Sequence, residues 1–361
     1  MGIAALISGA SRLLTHRSAY RGPQVLTAEE FQHAAICERM RVDRNGSVLS
    51  VLTIALPARR ASARDCKQFL AMLAERLRLT DTVGALADGR FGVLLPDTPE
   101  SGAWKVAADL CDPFVPGNDR PHCEVVVYPD DQRDNEGFPA PEDSVSGISF
   151  SETPSSDAFF ALRVSPWKRL FDIVGASAGL VLTSPLIAGA ALAVKLTSPG
   201  AAFFLQEREG LGGKRFQILK LRTMRSDAES FKDDLRMHSE QDGPAFKMTN
   251  DPRVTWVGKW LRKTSIDELP QLWNVLRGEM SLVGPRPLPT QESQECCSWQ
   301  RQRLQVLPGL TCIWQIRGRN VVSFEEWIRM DLRYIRRRSL WYDLQLVLAT
   351  VPAIVFSKGP R

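Results

Sequence analysis

The sequence predicts a two-domain α/β chain: an α+β domain in the N-terminal third and an α-rich domain after it. Three observations carry this. Between Val25 and Tyr128, strand-like and helix-like segments alternate in the order β-α-β-β-α-β. From 129 to 160 the chain turns to Asp, Glu, Pro, Gly and Ser, with few residues able to build a core. Phe171–Val194 then forms an apolar run of 24 residues with one charge, Asp172. Two domains also suit a length of 361 residues.

The first 24 residues read as a tail. Their short apolar run precedes its charge, the wrong order for a secretory signal, so an ordinary cytosolic N-terminus is expected. Ser47–Leu56 is a buried strand, and Ala63–Leu79 follows with helical spacing at Phe69, Leu70, Leu73 and Leu77. Thr82–Ala87 and Phe91–Pro96 flank Asp88-Gly89, a tight hairpin dipeptide. Glu100–Cys111 is a second helix and Cys123–Tyr128 a last strand, which makes 25–128 a ferredoxin-like sheet with helices on one face. Residues 129–160 read as a flexible linker, and 161–361 as the second domain.

The apolar run, about 167–196, is long enough to span a membrane. Two features oppose spanning. Ser184-Pro185 sits at its centre, where proline removes a backbone bond. Basic residues flank both ends, Lys168-Arg169 before and Lys195 after, which favours both ends on the cytoplasmic face. Ser339–Phe356 is apolar on one side, with Trp341 and Tyr342 near Arg336-Arg337-Arg338. It reads as an interfacial helix or as a core helix with a basic cap.

The net charge of +5 hides an asymmetry. Residues 1–150 carry 16 Lys/Arg against 20 Asp/Glu, whereas 151–361 carry 30 against 21. A basic C-terminal half suits an anionic lipid surface and phosphorylated substrates. No nucleic-acid-binding motif accompanies it, so nucleic acid is not an expected partner. Seven cysteines, odd in number and without a C-x-x-C pair, indicate reduced thiols rather than a disulfide framework.

Residues 261–287 carry the most chemistry. Asp267 and Glu268 sit among Arg262, Lys263, Arg277 and Arg286, just before a helical run that leads to Val283-Gly284-Pro285-Arg286-Pro287. Guanidinium groups match phosphate oxygens, and an Asp can attack phosphorus. Ser265 and Glu268 also match a helix capping box. The two readings are compatible, because a helix N-terminus is itself an anion site.

This stretch resembles the bacterial sugar transferase family, the monotopic polyprenyl-phosphate phosphoglycosyl transferases. Three further blocks resemble it in order: Ser198–Met224 (SPGAAFFLQEREGLGGKRFQILKLRTM), Leu307–Asn320 and Asp331–Thr350. The resemblance implies transfer of a phosphosugar from a UDP-sugar to a polyprenyl phosphate such as undecaprenyl phosphate, with Mg²⁺. It implies a re-entrant membrane helix broken at Ser184 and Pro185, on the cytoplasmic face of a bacterial inner membrane. Asp267 matches the nucleophile. Glu268 matches the second dyad member, which binds Mg²⁺ with Asp267 or orients it. Arg262 and Arg286 are the expected phosphate clamps, with Pro285 and Pro287 stiffening the loop. Lys220 and Arg222 match basic positions near the site. Cys312 stands where the family commonly has glycine; if positive φ is needed there, the loop would shift. The segment Gln291–Ser298 matches no motif.

The N-terminal domain resembles the GGDEF/nucleotide-cyclase family, with departures that remove its chemistry. The signature hairpin becomes Ala87-Asp88-Gly89-Arg90-Phe91, with Arg90 at an acidic metal-holding position, and the first strand ends in Leu56-Pro57 rather than a metal-binding Asp. Arg78 and Asp81 keep the R-x-x-D spacing of the family's cyclic di-GMP site. Three expectations follow for this domain: cyclic di-GMP as a ligand, a homodimer, and, as the alternative to catalysis, a membrane-anchored sensing protein without transferase activity.

Overall fold

The computed structural model describes residues 25–57, 63–111, 121–130, 155–225, 228–231, 239–246, 248, 251–317 and 322–355. The expected N-terminal tail and most of the expected linker lie outside these. The chain divides into two compact units, Met1–Phe160 and Ala161–Arg361.

Among the described residues, the first helix of the first unit is one that the alternation did not reveal, α1 (Ala28–Asn45). A reciprocal capping box between Thr27 and Glu30 starts it, and Gly46, at φ 67°, ends it in the left-handed conformation. The expected order follows: β1 (Leu49–Ala55), α2 (Ala63–Arg76), β2 (Thr82–Ala85), β3 (Phe91–Pro96), α3 (Glu100–Cys111) and β4 (His122–Tyr128). The strands pair antiparallel in the order β2-β3-β1-β4.

Helices cover both faces of this sheet, not one. Strand alternation sends Leu52, Ile54, Val93 and Val125 to a core with α2 and α3. It sends Leu49, Val51, Leu94 and Val126 to a second core with Phe31, Ala35 and Val42 of α1. That second core also takes residues assigned to the linker. A short helix, α4 (Ser156–Phe159), carries Asp157 to within 3.7 Å of Arg39, and Arg39 lies over the rings of Tyr128 and Phe160. Buried Phe160 supplies enough apolar surface to hold a segment whose polar composition looked linker-like.

The second unit begins with α5 (Pro166–Thr197), 32 residues assigned as continuous helix through Pro185. Its single acid explains its docking. Asp172 is fully buried and accepts from Ser281 Oγ at 2.9 Å and from the Leu282 amide at 3.1 Å. Lys168 bridges Asp172, at 3.2 Å, to Asp343, at 2.7 Å. Arg169 donates to the Val275 carbonyl at 2.6 Å. Lys168 and Arg169, the basic residues before the apolar run, are thus both engaged by groups of the same unit.

A hairpin follows, β5 (Phe203–Glu209) with β6 (Arg215–Leu221). Next come α6 (Trp256–Thr264), a 3-10 turn (Ile266–Gln271) and α7 (Leu272–Arg277). Then come β7 (Ser281–Val283), α8 (Thr290–Gln294) and α9 (Ser298–Arg301). Strand β8 (Gly309–Thr311) pairs parallel with β7 and is followed by α10 (Ile313–Arg317). The unit closes with α11 (Phe324–Arg337) and α12 (Leu340–Val355). The C-terminal run is partly a core helix: Leu346 and Asp343 are buried, while Trp341 stays exposed.

Candidate active site

The capping box expected at Ser265 does not form. Ser265 ends α6 in the left-handed conformation, φ 56°, and its side chain makes no cap hydrogen bond to the turn that follows among the described residues. The chain reverses there into the 3-10 turn, and Glu268 turns to other partners. Gly258 lets α6 sit this close to the hairpin, since a Cβ there would lie 2.0 Å from the Thr223 carbonyl oxygen. Pro270 lies in the 3-10 turn, two residues before α7 starts at Leu272, and so stays out of the interior of that helix.

Asp267 and Glu268 then differ sharply. Arg286 donates from both guanidinium NH₂ groups to Glu268, one to each carboxylate oxygen, with Nη1 at 3.2 Å. Lys220 Nζ lies 3.5 Å from Glu268 Oε1. Burial alone would push the Glu268 carboxyl up, but the Arg286 and Lys220 charges outweigh it and hold it well below the usual range. Asp267 is buried at 8% exposure and, among the described residues, makes no side-chain hydrogen bond. Burial, and after it the Glu268 charge, raise its pKa to about 6. One carboxylate is thus locked and ionised, and its neighbour is held at a reactive pKa.

Both acids line a cavity of about 490 Å³ together with Lys220, Arg262 and Arg286. Burial lowers Lys220 to about 8, partly offset by Glu268. Arg262 reaches Thr223 Oγ1 with Nε at 3.0 Å. Pro285 stands behind the loop, where its carbonyl accepts from the Gly309 amide at 2.8 Å. Arg303 donates to the Arg286 carbonyl and pairs with Asp331 at 2.8 Å, so a buried ion pair props the loop from below.

Arg222 has a different task from the one its position implied. Although it borders the cavity, its guanidinium donates to Ser198 O at 3.0 Å, to Ser198 Oγ at 2.9 Å and to the Pro199 carbonyl. It ties down the chain leaving α5. Arg208, which carried no expected role, also lines the cavity. It donates to the Pro287 carbonyl at 2.7 Å, and burial followed by the like charge of Arg286 lowers its pKa to about 10. Its signal was the period of two in Phe204-Gln206-Arg208, which puts three side chains on one strand face.

The remaining expected positions are Cys312, Ser184 with Pro185, and Arg78 with Asp81. Cys312 does not take positive φ, and its buried thiol donates to Gln315 Oε1 at 3.2 Å, so the loop keeps its path without glycine. Ser184 and Pro185 lie inside the assigned helix, with Ser184 Oγ donating to the Val181 carbonyl at 3.0 Å. Arg78 and Asp81 lie in the first unit, where the Asp81 carboxylate accepts from the Arg78 backbone amide at 2.8 Å. Asp81 is buried in that turn, where its carboxylate serves the local backbone. In the same unit Arg90 pairs with Glu124 at 2.6 Å and Asp88 at 2.8 Å, a cation neutralising the position where the cyclase resemblance has an acid.

Among the described residues, no group of three or more His, Cys, Asp or Glu gathers to hold a metal ion. Two carboxylates with substrate phosphates and water still make a usual Mg²⁺ set. Asp267 has free oxygens for it, whereas those of Glu268 are shared with Arg286 and Lys220.

Residues 163–357 match the family model described as bacterial sugar transferase. The galactosyl transferase CpsE of Streptococcus agalactiae is 43% identical over 196 residues, 54% of this chain and 43% of that protein. A UDP-glucose:undecaprenyl-phosphate glucose-1-phosphate transferase of Caulobacter vibrioides is 47% identical over 198 residues, 52% of this chain and 69% of that one. The exopolysaccharide production protein ExoY of Rhizobium meliloti is 42% identical over 196 residues, 53% and 87% of the two chains. The match thus spans less than half of the streptococcal relative's length. For the N-terminal part, a GGDEF domain from Pseudomonas aeruginosa aligns with 31% of this chain and 76% of its own, at 17% identity and a TM-score of 0.26.

Proposed function

Because this chain belongs to the bacterial sugar transferase family, we propose that its C-terminal unit moves a phosphosugar from a UDP-sugar to a polyprenyl phosphate. The product would start a lipid-linked glycan, such as an exopolysaccharide. One observation carries the reading: a carboxylate free of hydrogen bonds among the described residues, Asp267, lies beside a clamped one in a cavity lined by Lys220, Arg208, Arg262 and Arg286.

In the first step an Asp267 oxygen attacks the sugar-bearing phosphorus, and the bond from that phosphorus to the UMP oxygen breaks. UMP leaves, and the phosphosugar remains as an acyl phosphate on Asp267. In the second, an oxygen of the lipid phosphate attacks the same phosphorus and the bond to Asp267 breaks. Arg286, positioned by Glu268 and Arg303, and Arg262 neutralise charge on the transferring phosphoryl oxygens. Lys220 does so from the hairpin side. A Mg²⁺ ion would be held by Asp267 with the substrate phosphates, beside Glu268, and would supply further charge neutralisation.

A two-step path suits a site that serves one soluble and one membrane substrate. The geometry of α5 supports a re-entrant insertion rather than a crossing. Its start is locked to the unit through Asp172, and near its end Ala190 and Val194 pack with Leu221 and Leu261 of the same unit. Between them Val181, Leu182 and Leu186 are exposed around Ser184-Pro185. Both ends thus pack on the same unit, which we place at the cytoplasmic face. A panel of UDP-sugars offered with undecaprenyl phosphate tests the activity through release of UMP. Failure of every sugar to release UMP would reject it.

A further inference from the structure

Phe204 is paired with Lys220 across the β5–β6 hairpin, so the two side chains share one face. Lys220 faces Glu268, and Phe204 lines the same cavity as Asp267. Yet Phe204 is 39% exposed, an unusual state for a phenylalanine bordering a site of this charge. On the opposite strand face Phe203 and Leu205 are exposed at 43% and 58%.

The surroundings continue this surface. Ala202, at the head of the strand, packs with Val194 of α5 and with Val257 and Leu261 of α6. From the same two helices Leu192, Leu196, Trp256 and Trp260 project outward, each more than half exposed, and Lys263 Nζ lies 5.8 Å from the Trp260 ring centre. Tryptophan with lysine at the rim of an apolar surface is the composition of a membrane interface. Clustered exposed apolar side chains of this kind mark a ligand or membrane contact.

We propose that this patch is the entry for the acceptor lipid, with Phe204 as the threshold over which the first isoprene units lie while the phosphate reaches the Lys220 side of the cavity. The inference rests on the transferase reading and adds an acceptor subsite to it. The occupant is the isoprenoid chain of a polyprenyl phosphate for two reasons. Phe204 sets an exposed apolar ring beside Lys220 on the cavity side of the hairpin, and the nucleotide-sugar donor has no apolar tail to meet it.

The test uses the full chain in detergent micelles with one active UDP-sugar and two acceptors, undecaprenyl phosphate and the ten-carbon citronellyl phosphate. The wild type should prefer the long acceptor. Phe204→Ser should raise KM for undecaprenyl phosphate about tenfold, while KM for the UDP-sugar changes far less, and the preference for chain length should narrow. Phe204→Leu, which keeps an apolar side chain and controls for folding, should recover most of the acceptor KM. Equal rises in both KM values, or an unchanged preference for the long chain in Phe204→Ser, would overturn the subsite alone. A wild-type protein that releases UMP with neither acceptor would instead reject the transferase reading beneath it.

Discussion

Arg286 grips both carboxylate oxygens of Glu268 across 18 positions of sequence, and by doing so it leaves the adjacent Asp267 as the uncommitted acid of the pair. A bidentate guanidinium–carboxylate pair is among the stronger charge-assisted contacts, and here Lys220 reinforces it. Proximity to this pair, together with burial, shapes the chemistry of Asp267.

Asp267→Asn should reduce UMP release by about 10³-fold or more and abolish any trapped phosphosugar adduct. The fold should survive, with a melting temperature at pH 8 that rises. The folded protein raises this carboxyl to about 6, above its unfolded value, so it favours the protonated form. That contribution is complete below the unfolded pKa and is lost as pH climbs through about 6. Removing the charge removes the cost. Substantial UMP release from the variant would exclude Asp267 as nucleophile.

The pH profile of UMP release should be bell-shaped. Attack needs the Asp267 carboxylate, so the acid limb rises through about 6. Burial lowers Lys220 to about 8, and losing its charge gives the alkaline fall. In Lys220→Arg the alkaline limb should move beyond the measurable range, because guanidinium stays protonated. An alkaline limb that persists unchanged would show that another group titrates there.

Asp172→Ala should destabilise the C-terminal unit by about 3 kcal/mol, read as a lower melting temperature in detergent. It removes the acceptor for Ser281 Oγ and the Leu282 amide and leaves Lys168 with Asp343 alone. Asp172→Asn keeps an acceptor oxygen and should cost less. If both variants melt like the wild type, the buried network does not anchor the helix.

Topology is accessible by labelling. With the two exposed thiols Cys37 and Cys297 changed to serine, single cysteines near Ser165 and near Ser198 should both resist a membrane-impermeant reagent in intact cells. Labelling at one end only would indicate a crossing helix. Pro185→Ala restores a backbone donor at the centre of α5 and should favour crossing at the expense of activity.

By itself the sequence determined what depends on neighbours along the chain. Strand and helix periods placed β1 to β4, α2 and α3 within a few residues. The adjacent acids, the basic blocks and the apolar run were legible because residue type and short spacing carry them. Tertiary structure decided everything that depends on partners far along the chain. The helix α1 and the docked Phe160 escaped notice because their apolar faces make sense only against the second face of the sheet. Asp172 read as a lone charge in an apolar run, until Ser281 and Leu282, more than 100 positions later, supplied its hydrogen bonds. Arg222 and Arg208 differ in role because hairpin register and the chain after α5 set which guanidinium meets which carbonyl. The distinction between Asp267 and Glu268 was beyond any local signal. Two neighbouring carboxylates are chemically alike until distance to Arg286 and Lys220 separates them, and only the folded chain sets that distance.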